Sequence, residues 1–320
     1  MKNQRPIEIT PPDISPYRTG NTGVDYVHVL DSGKPGPTVM VQALTHGNEY
    51  CGAIAVDLLF KEKVAPLKGK LIVAFANVAA FARFDFDDPD RSRYIDEDYN
   101  RVWGDDTLLG ARDSAELRRA RELRPFVDLA DCLLDLHSMH ETCRPIMVCG
   151  VMGKGGEKSI AFTRRLGAPG DLLVDTGHPA GLRMIERGAF GDPKSAKTAV
   201  LIECGQHWER SSAEVAIDTL VRFLGVTGVC APDWVDAKTR LRKPEAQKVV
   251  SVTEPVVARS MDFRFARPFK GLECLPKAGT LVAQDGDKVW KTPYDDTVLV
   301  MPSVAHLKPG TTVVRMGRYI

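Results

Sequence analysis

Five short apolar runs constrain the fold of this chain: VMVQAL (Val39 to Leu44), LIVAFA (Leu71 to Ala76), CLLDL (Cys132 to Leu136), IMVC (Ile146 to Cys149) and AVLIE (Ala199 to Glu203). Each reads as a strand covered on both faces. Between and after them lie stretches with helical spacing. Gly52 to Phe60 is an apolar helix, and Glu214 to Leu224 carries apolar side chains along one face. Asp113 to Pro125 is a helix capped by Asp113 or Ser114, with its proline marking a kink or an end. Strands alternating with helices pack as a sheet flanked by helices, so the chain is of the α/β class. Ligands of such sheets sit at the carboxyl ends of the strands. His46, Asn77, His137 and Glu203 each fall at or just past such an end.

The segments outside this pattern read differently. Pro11 and Pro12 and the GKPGP run (Gly33 to Pro37) point to a loose lead-in and a hairpin. From APDWV (Ala231 to Val235) a polar stretch leads to KPEAQ (Lys243 to Gln247), and beyond it short β-rich runs are separated by turn signals. This predicts a catalytic domain over 1–230, a linker over 231–245 and a small β-barrel or sandwich domain over 246–320. Two units also suit a chain longer than the ~250–300 residues at which single cores stop growing.

Composition excludes several function classes. Lys plus Arg number 43 and Asp plus Glu 42, so no global field draws the chain to nucleic acid or to a membrane surface. No apolar run reaches the roughly 18 residues of a membrane span, and MKNQRP lacks the apolar region of a signal peptide. The 7 cysteines, without a C-x-x-C pair, read as reduced thiols, and a cytoplasmic location is expected. No phosphate-cradling glycine loop follows a strand, which disfavours a nucleotide enzyme. The sequence leaves a homo-oligomer open.

The strand ends carry the chemistry. In THGNEY, His46 and Glu49 stand three apart just after an apolar run, where a turn can aim both at one point. His137 is the natural third ligand, and two imidazoles with one carboxylate form a common catalytic zinc set that leaves one position to water. His140 competes for the third place from the loop that follows; otherwise it supports the metal ligands from behind or contacts substrate. Asp135 shares side-chain parity with His137, so it either orients an imidazole or is simply solvated. Glu203, partly desolvated beside a metal, would hold a raised pKa suited to proton transfer; an ion pair with an arginine at the sheet edge is the alternative. In RYIDEDYNR, Arg93, Asn100 and Arg101 could grip a carboxylate and polarise a carbonyl. By charge pattern alone the stretch is a self-neutralised surface loop.

Taken together, HGNE, R-Y-I-D-x-D-x-N-R, D-L-H and I-E-x-G resemble the succinylglutamate desuccinylase and aspartoacylase family of zinc deacylases, related in fold to zinc carboxypeptidases. The resemblance implies a mixed sheet flanked by helices with a small C-terminal β-rich domain partly covering the site. It implies one Zn2+ per chain on His46, Glu49 and His137, Glu203 as general base and then acid, and Arg93 on the scissile carbonyl. Asn100 and Arg101 would hold a carboxylate of a small amide substrate. The chain reads Cys204, Gly205, Gln206 where aspartoacylases have G-P-Q, which argues against N-acetylaspartate. For a second carboxylate, Arg183 and Tyr294 are the candidates. The expected activity is hydrolysis of a small N-acyl amino acid; its rivals are a carboxypeptidase-like peptidase acting on short peptides and a silent anion-binding module.

Overall fold

The computed structural model describes residues 5–239, 241, 243, 244 and 246–320. Its strands are β1 (Val27–Asp31), β2 (Thr38–Ala43), β3 (Lys70–Phe75), β4 (Cys132–Met139), β5 (Ile146–Val151), β6 (Asp171–Asp175), β7 (Thr198–Gln206), β8 (Lys248–Val257), β9 (Arg264–Phe265), β10 (Glu273–Leu275), β11 (Leu281–Asp285), β12 (Lys288–Lys291), β13 (Thr297–Val300) and β14 (Thr312–Tyr319). Among the described residues, eleven of them form one mixed sheet, ordered β1-β3-β2-β4-β7-β5-β6-β8-β14-β13-β10. Its centre, β3-β2-β4-β7, is parallel, so the carboxyl ends of β2, β4 and β7 lie side by side.

The helices are α1 (Cys51–Lys61), α2 (Val78–Phe81), α3 (Asp105–Leu108), α4 (Ala115–Leu129), α5 (Gly156–Leu166), α6 (Arg210–Thr227) and α7 (Pro232–Lys238). Strand pleating divides the core between the two sheet faces. Val39, Val41 and Ala43 of β2 pack with Val56 and Leu59 of α1 and with Leu220 and Phe223 of α6. Met40 points the other way, into a core with Leu117, Leu123 and Val127 of α4. Ser114 caps α4, accepting from the Leu117 N–H at 3.0 Å. The helix does not stop at Pro125 but runs on to Leu129. Leu123 and Val127, on either side of the proline, are buried, and their packing offsets the backbone bond a proline removes.

Two strands are longer than their apolar runs. β4 continues to Met139 and β7 to Gln206 because their pairing extends to Met139↔Gln206, so His137 and Glu203 lie within the strands rather than at their ends. Past Val257, β14, β13 and β10 extend the main sheet after β8, which is parallel to β6. A separate sheet, β12-β11-β9, shares with these strands a small core that includes Val256, Phe263, Leu275, Val282 and Leu299. The stretch expected as a linker contains α7, and its positions 240, 242 and 245 lie outside the described residues. Among the described residues no helix is long and apolar enough to cross a membrane.

Candidate metal centre and active site

After β2 the chain turns sharply at Leu44, whose φ is 60°, and Thr45 to Tyr50 pass over the ends of the parallel strands. Gly47 permits this. A Cβ there would stand 2.3 Å from the Ser92 carbonyl oxygen and 2.4 Å from the Phe81 nitrogen. The Gly47 N–H donates to the Arg93 carbonyl at 3.1 Å, which joins the first motif to the arginine stretch. His137 and Glu203 are directly paired in the β4–β7 register and so share a face.

His46, Glu49 and His137 converge. One ligand atom from each lies within 4.8 Å of the others, and the three residues are only 3%, 2% and 2% exposed. His46 Nδ1 is 2.8 Å from Glu49 Oε1, and His137 Nδ1 is 2.9 Å from Glu49 Oε2. The far nitrogen of each ring meets a second carboxylate: His46 Nε2 lies 3.0 Å from Asp98, and His137 Nε2 lies 2.8 Å from Asp135. The carboxylates at both Nε2 atoms, with an Arg93 guanidinium nitrogen also 3.1 Å from that of His46, orient the rings so that both Nδ1 atoms face Glu49, the arrangement that suits metal-ligating histidines. Thr45 donates to Asp135 at 2.7 Å and receives a hydrogen bond from Gln42 at 2.9 Å, so the support extends to β2. Two imidazoles and a carboxylate, buried and oriented this way, fit zinc. His140 is not part of this group.

Glu203 stands beside it. Its Oε2 is buried without a hydrogen-bond partner. Burial, and then the negative charge of Glu49, push its carboxyl up to about 7. A cavity of about 190 Å³ opens here, lined by the three candidate ligands, Glu203, Arg93, Asn100, Arg101, Arg183, His140 and His207, among others. The segment between β13 and β14 adds Met301, Ser303 and His306 to its wall, and β14 adds Arg315.

The arginine stretch is shaped by one residue with no motif of its own. Glu116, fully buried on α4, accepts from the backbone N–H groups of Ile95 at 2.6 Å, Asp96 at 3.0 Å and Glu97 at 3.2 Å, and from Asn77 Nδ2 at 2.9 Å. Asn77 also caps α2, so its place at a strand end serves the scaffold. The Glu116 carboxylate fixes the loop that carries Arg93, Asp98, Asn100 and Arg101. Glu116→Ala strands donors that each cost ~1–3 kcal/mol when left unmade. We therefore expect a clear fall in melting temperature together with weaker substrate binding; a variant unchanged in both would contradict this role.

The four expected substrate residues fare differently. Arg101 faces the cavity, with its guanidinium on the Asn100 carbonyl at 2.7 Å and 3.9 Å from Asp98. Asn100 lines the cavity too; its Oδ1 accepts from the Met184 N–H at 3.0 Å, which fixes the amide and leaves its Nδ2 as the donor. Arg183 also lines the cavity, but its guanidinium is taken up by Asp175 at 2.7 and 2.8 Å and by Glu186. Tyr294 is not brought to the cavity: its hydroxyl pairs with Thr253 at 2.7 Å and its ring lies 4.0 Å from the Arg318 guanidinium carbon. Arg93 bonds Glu49 at 2.9 Å and Asp98 at 3.3 Å.

His140 joins β4 to the loop before Arg93. Its ring meets Asp90 at 3.1 Å and Glu141 at 3.2 Å. Burial opposes its charge, yet the bonds to Asp90 and Glu141 raise its pKa to about 9. Because the folded value lies above the ordinary 6.5, the stabilisation is complete below that ordinary value and is lost as pH rises through the folded one. The wild type should therefore lose melting temperature between about pH 6.5 and 9, and Asp90→Asn should lose less over the same interval. Parallel curves of melting temperature against pH would contradict the assignment.

Solved structures share this fold. A succinylglutamate desuccinylase from Vibrio parahaemolyticus superimposes with a TM-score of 0.66 at 15% identity, over 92% of this chain and 86% of that one. The product-bound ectoine utilization protein EutE (DoeB) from Ruegeria pomeroyi gives 0.62 at 18%, over 91% and 88%. An aspartoacylase family protein from Mesorhizobium loti gives 0.59 at 16%, over 92% and 88%. Likeness at these identities establishes the fold alone. No curated protein matches the chain. The model of the succinylglutamate desuccinylase/aspartoacylase catalytic domain matches residues 35–223, a span that includes all four motifs and more than half of the chain. The chain therefore belongs to the succinylglutamate desuccinylase/aspartoacylase family.

Proposed function

We propose that this protein is a zinc-dependent amidohydrolase that removes the acyl group from a small N-acyl amino acid or related carboxylate. The observation that carries the reading is the pairing of two chemically distinct carboxylates across one cavity. Glu49 lies between two oriented imidazoles, whereas Glu203 keeps a buried oxygen without a partner. One ion on His46, Glu49 and His137 would supply the Lewis acidity that brings the pKa of water down towards ~7. Asp98 and Asp135 orient the two rings with Nδ1 toward Glu49. Glu203 takes the proton of the attacking water and returns it to the leaving amine, and its raised pKa suits both transfers. Arg93 donates to the carbonyl oxygen as charge develops there, a role in which one lost donor costs ~2.7–4 kcal/mol.

A cavity of about 190 Å³ favours a small amide over an extended peptide. The seven unpaired cysteines are compatible with a cytosolic site of action. Rates over a panel of N-acetyl and N-succinyl amino acids, run beside short peptides, test the reading. Turnover of at least one N-acyl amino acid well above the peptides is expected. Peptide hydrolysis alone would support a carboxypeptidase-like enzyme instead, and no hydrolysis by the zinc-loaded protein would support a silent binding module.

A further inference from the structure

The cationic end of the cavity holds a guanidinium, that of Arg315, with no ion pair among the described residues. Arg93 is paired with Glu49 and Asp98, and Arg183 with Asp175 and Glu186. Among the described residues the ion pair of Arg101 is a long one, to Asp98 at 3.9 Å. Arg315 has no carboxylate within ion-pair distance among the described residues, and its one polar contact is the Met301 sulfur at 4.0 Å. It projects from β14, opposite Val300 of β13 and Pro255 of β8, into a cavity wall shared with Arg101 and Glu203. It also lines a neighbouring opening of about 430 Å³ that includes Arg93, Arg101 and His306, so it sits where the site meets its approach.

A part-buried cation without a counter-ion gives up hydration with no ion pair in return. Burial, and then the nearby charges of Arg183 and Arg101, push the Arg315 pKa down to about 10, which outweighs the pull of Asp175 and Glu203. The same burial and the same arginines lower the neighbouring His178 to about 3, so that ring stays neutral and does not add to the positive charge. A protein that gains no stability from such a residue has a use for it when a ligand brings the missing charge.

We propose that Arg315 is a specificity-determining residue of the amidohydrolase reaction, closing with Arg101 on a carboxylate of the substrate. The inference rests on the reading under Proposed function. It makes the C-terminal strand β14 part of substrate recognition. Two guanidiniums on separate elements admit one carboxylate between them, each offering charge-assisted donors in a fixed fork.

The test uses full-length zinc-loaded protein and the variants Arg315→Met and Arg315→Lys. With the best N-acyl amino acid and its carboxamide counterpart, wild type should prefer the acid. Arg315→Met should shrink that preference by about ten- to a hundredfold, mainly through KM, with partial recovery in Arg315→Lys. Its melting temperature should hold or rise in the absence of ligand. An unchanged preference for the acid overturns the proposal. If no amide in the panel is cleaved, the functional reading fails, and calorimetric binding of succinate decides the Arg315 question separately. Binding by wild type that weakens at least about tenfold in Arg315→Met supports the proposal; equal binding, or none by wild type, overturns it.

Discussion

Glu203→Gln is expected to keep the fold and the zinc while turnover falls by about 10²–10⁴-fold, the usual contribution of a positioned general acid–base. The substitution is close to isosteric and replaces a carboxyl that already lacks a partner on one oxygen, so little packing is lost. It removes a lining carboxylate that neither His46 nor His137 engages, whereas Glu49 is held by both imidazoles. The comparison should be made on single-turnover rates with metal content measured in the same sample. A glutamine variant that works at near wild-type rate would remove Glu203 from the chemistry, whatever its pKa.

His46→Ala has the second large effect, and its signature differs. It should lose zinc and activity together, because two ligands remain where three converged within 4.8 Å. Glu49 and Asp98 then each lose a partner, at 2.8 and 3.0 Å. Glu49 keeps His137 and Arg93, and Asp98 keeps Arg93 and the Asn100 N–H, so the fall in melting temperature should be modest beside the loss of metal. Full zinc occupancy in purified His46→Ala, read by elemental analysis, would contradict the ligand assignment.

How much of this was legible in the sequence varied with the kind of interaction. The central strands were visible because a strand buried on both faces must be apolar throughout, as in Leu71 to Ala76. His46, Glu49 and His137 were legible because they follow or close two apolar runs, and the parallel pairing of β2 with β4 brings those two segments together. The arginine stretch looked like a neutral loop by charge count. Its order comes from Glu116, whose bonds go to backbone N–H groups of a distant segment, and such bonds leave no side-chain pattern to read. Asp98 was hidden in the same way among acids of equal appearance. Arg315 was beyond reach from sequence, since it lies far from every motif and reaches the cavity only because β14 joins the extended sheet beside β8. Arg183 and Tyr294 show the converse: residue type and position suggested ligand contacts, but Arg183 is neutralised by Asp175 and Glu186, and Tyr294 bonds Thr253 outside the cavity.

The central claim is that three converging side chains hold a catalytic zinc next to a free carboxylate. Stoichiometric metal analysis, coupled to hydrolysis of N-acyl amino acids before chelation, after it and after zinc is restored, tests that claim most directly. The account predicts one zinc ion per chain, loss of hydrolysis on chelation and its return with zinc. Undiminished hydrolysis by thoroughly metal-free protein would contradict it.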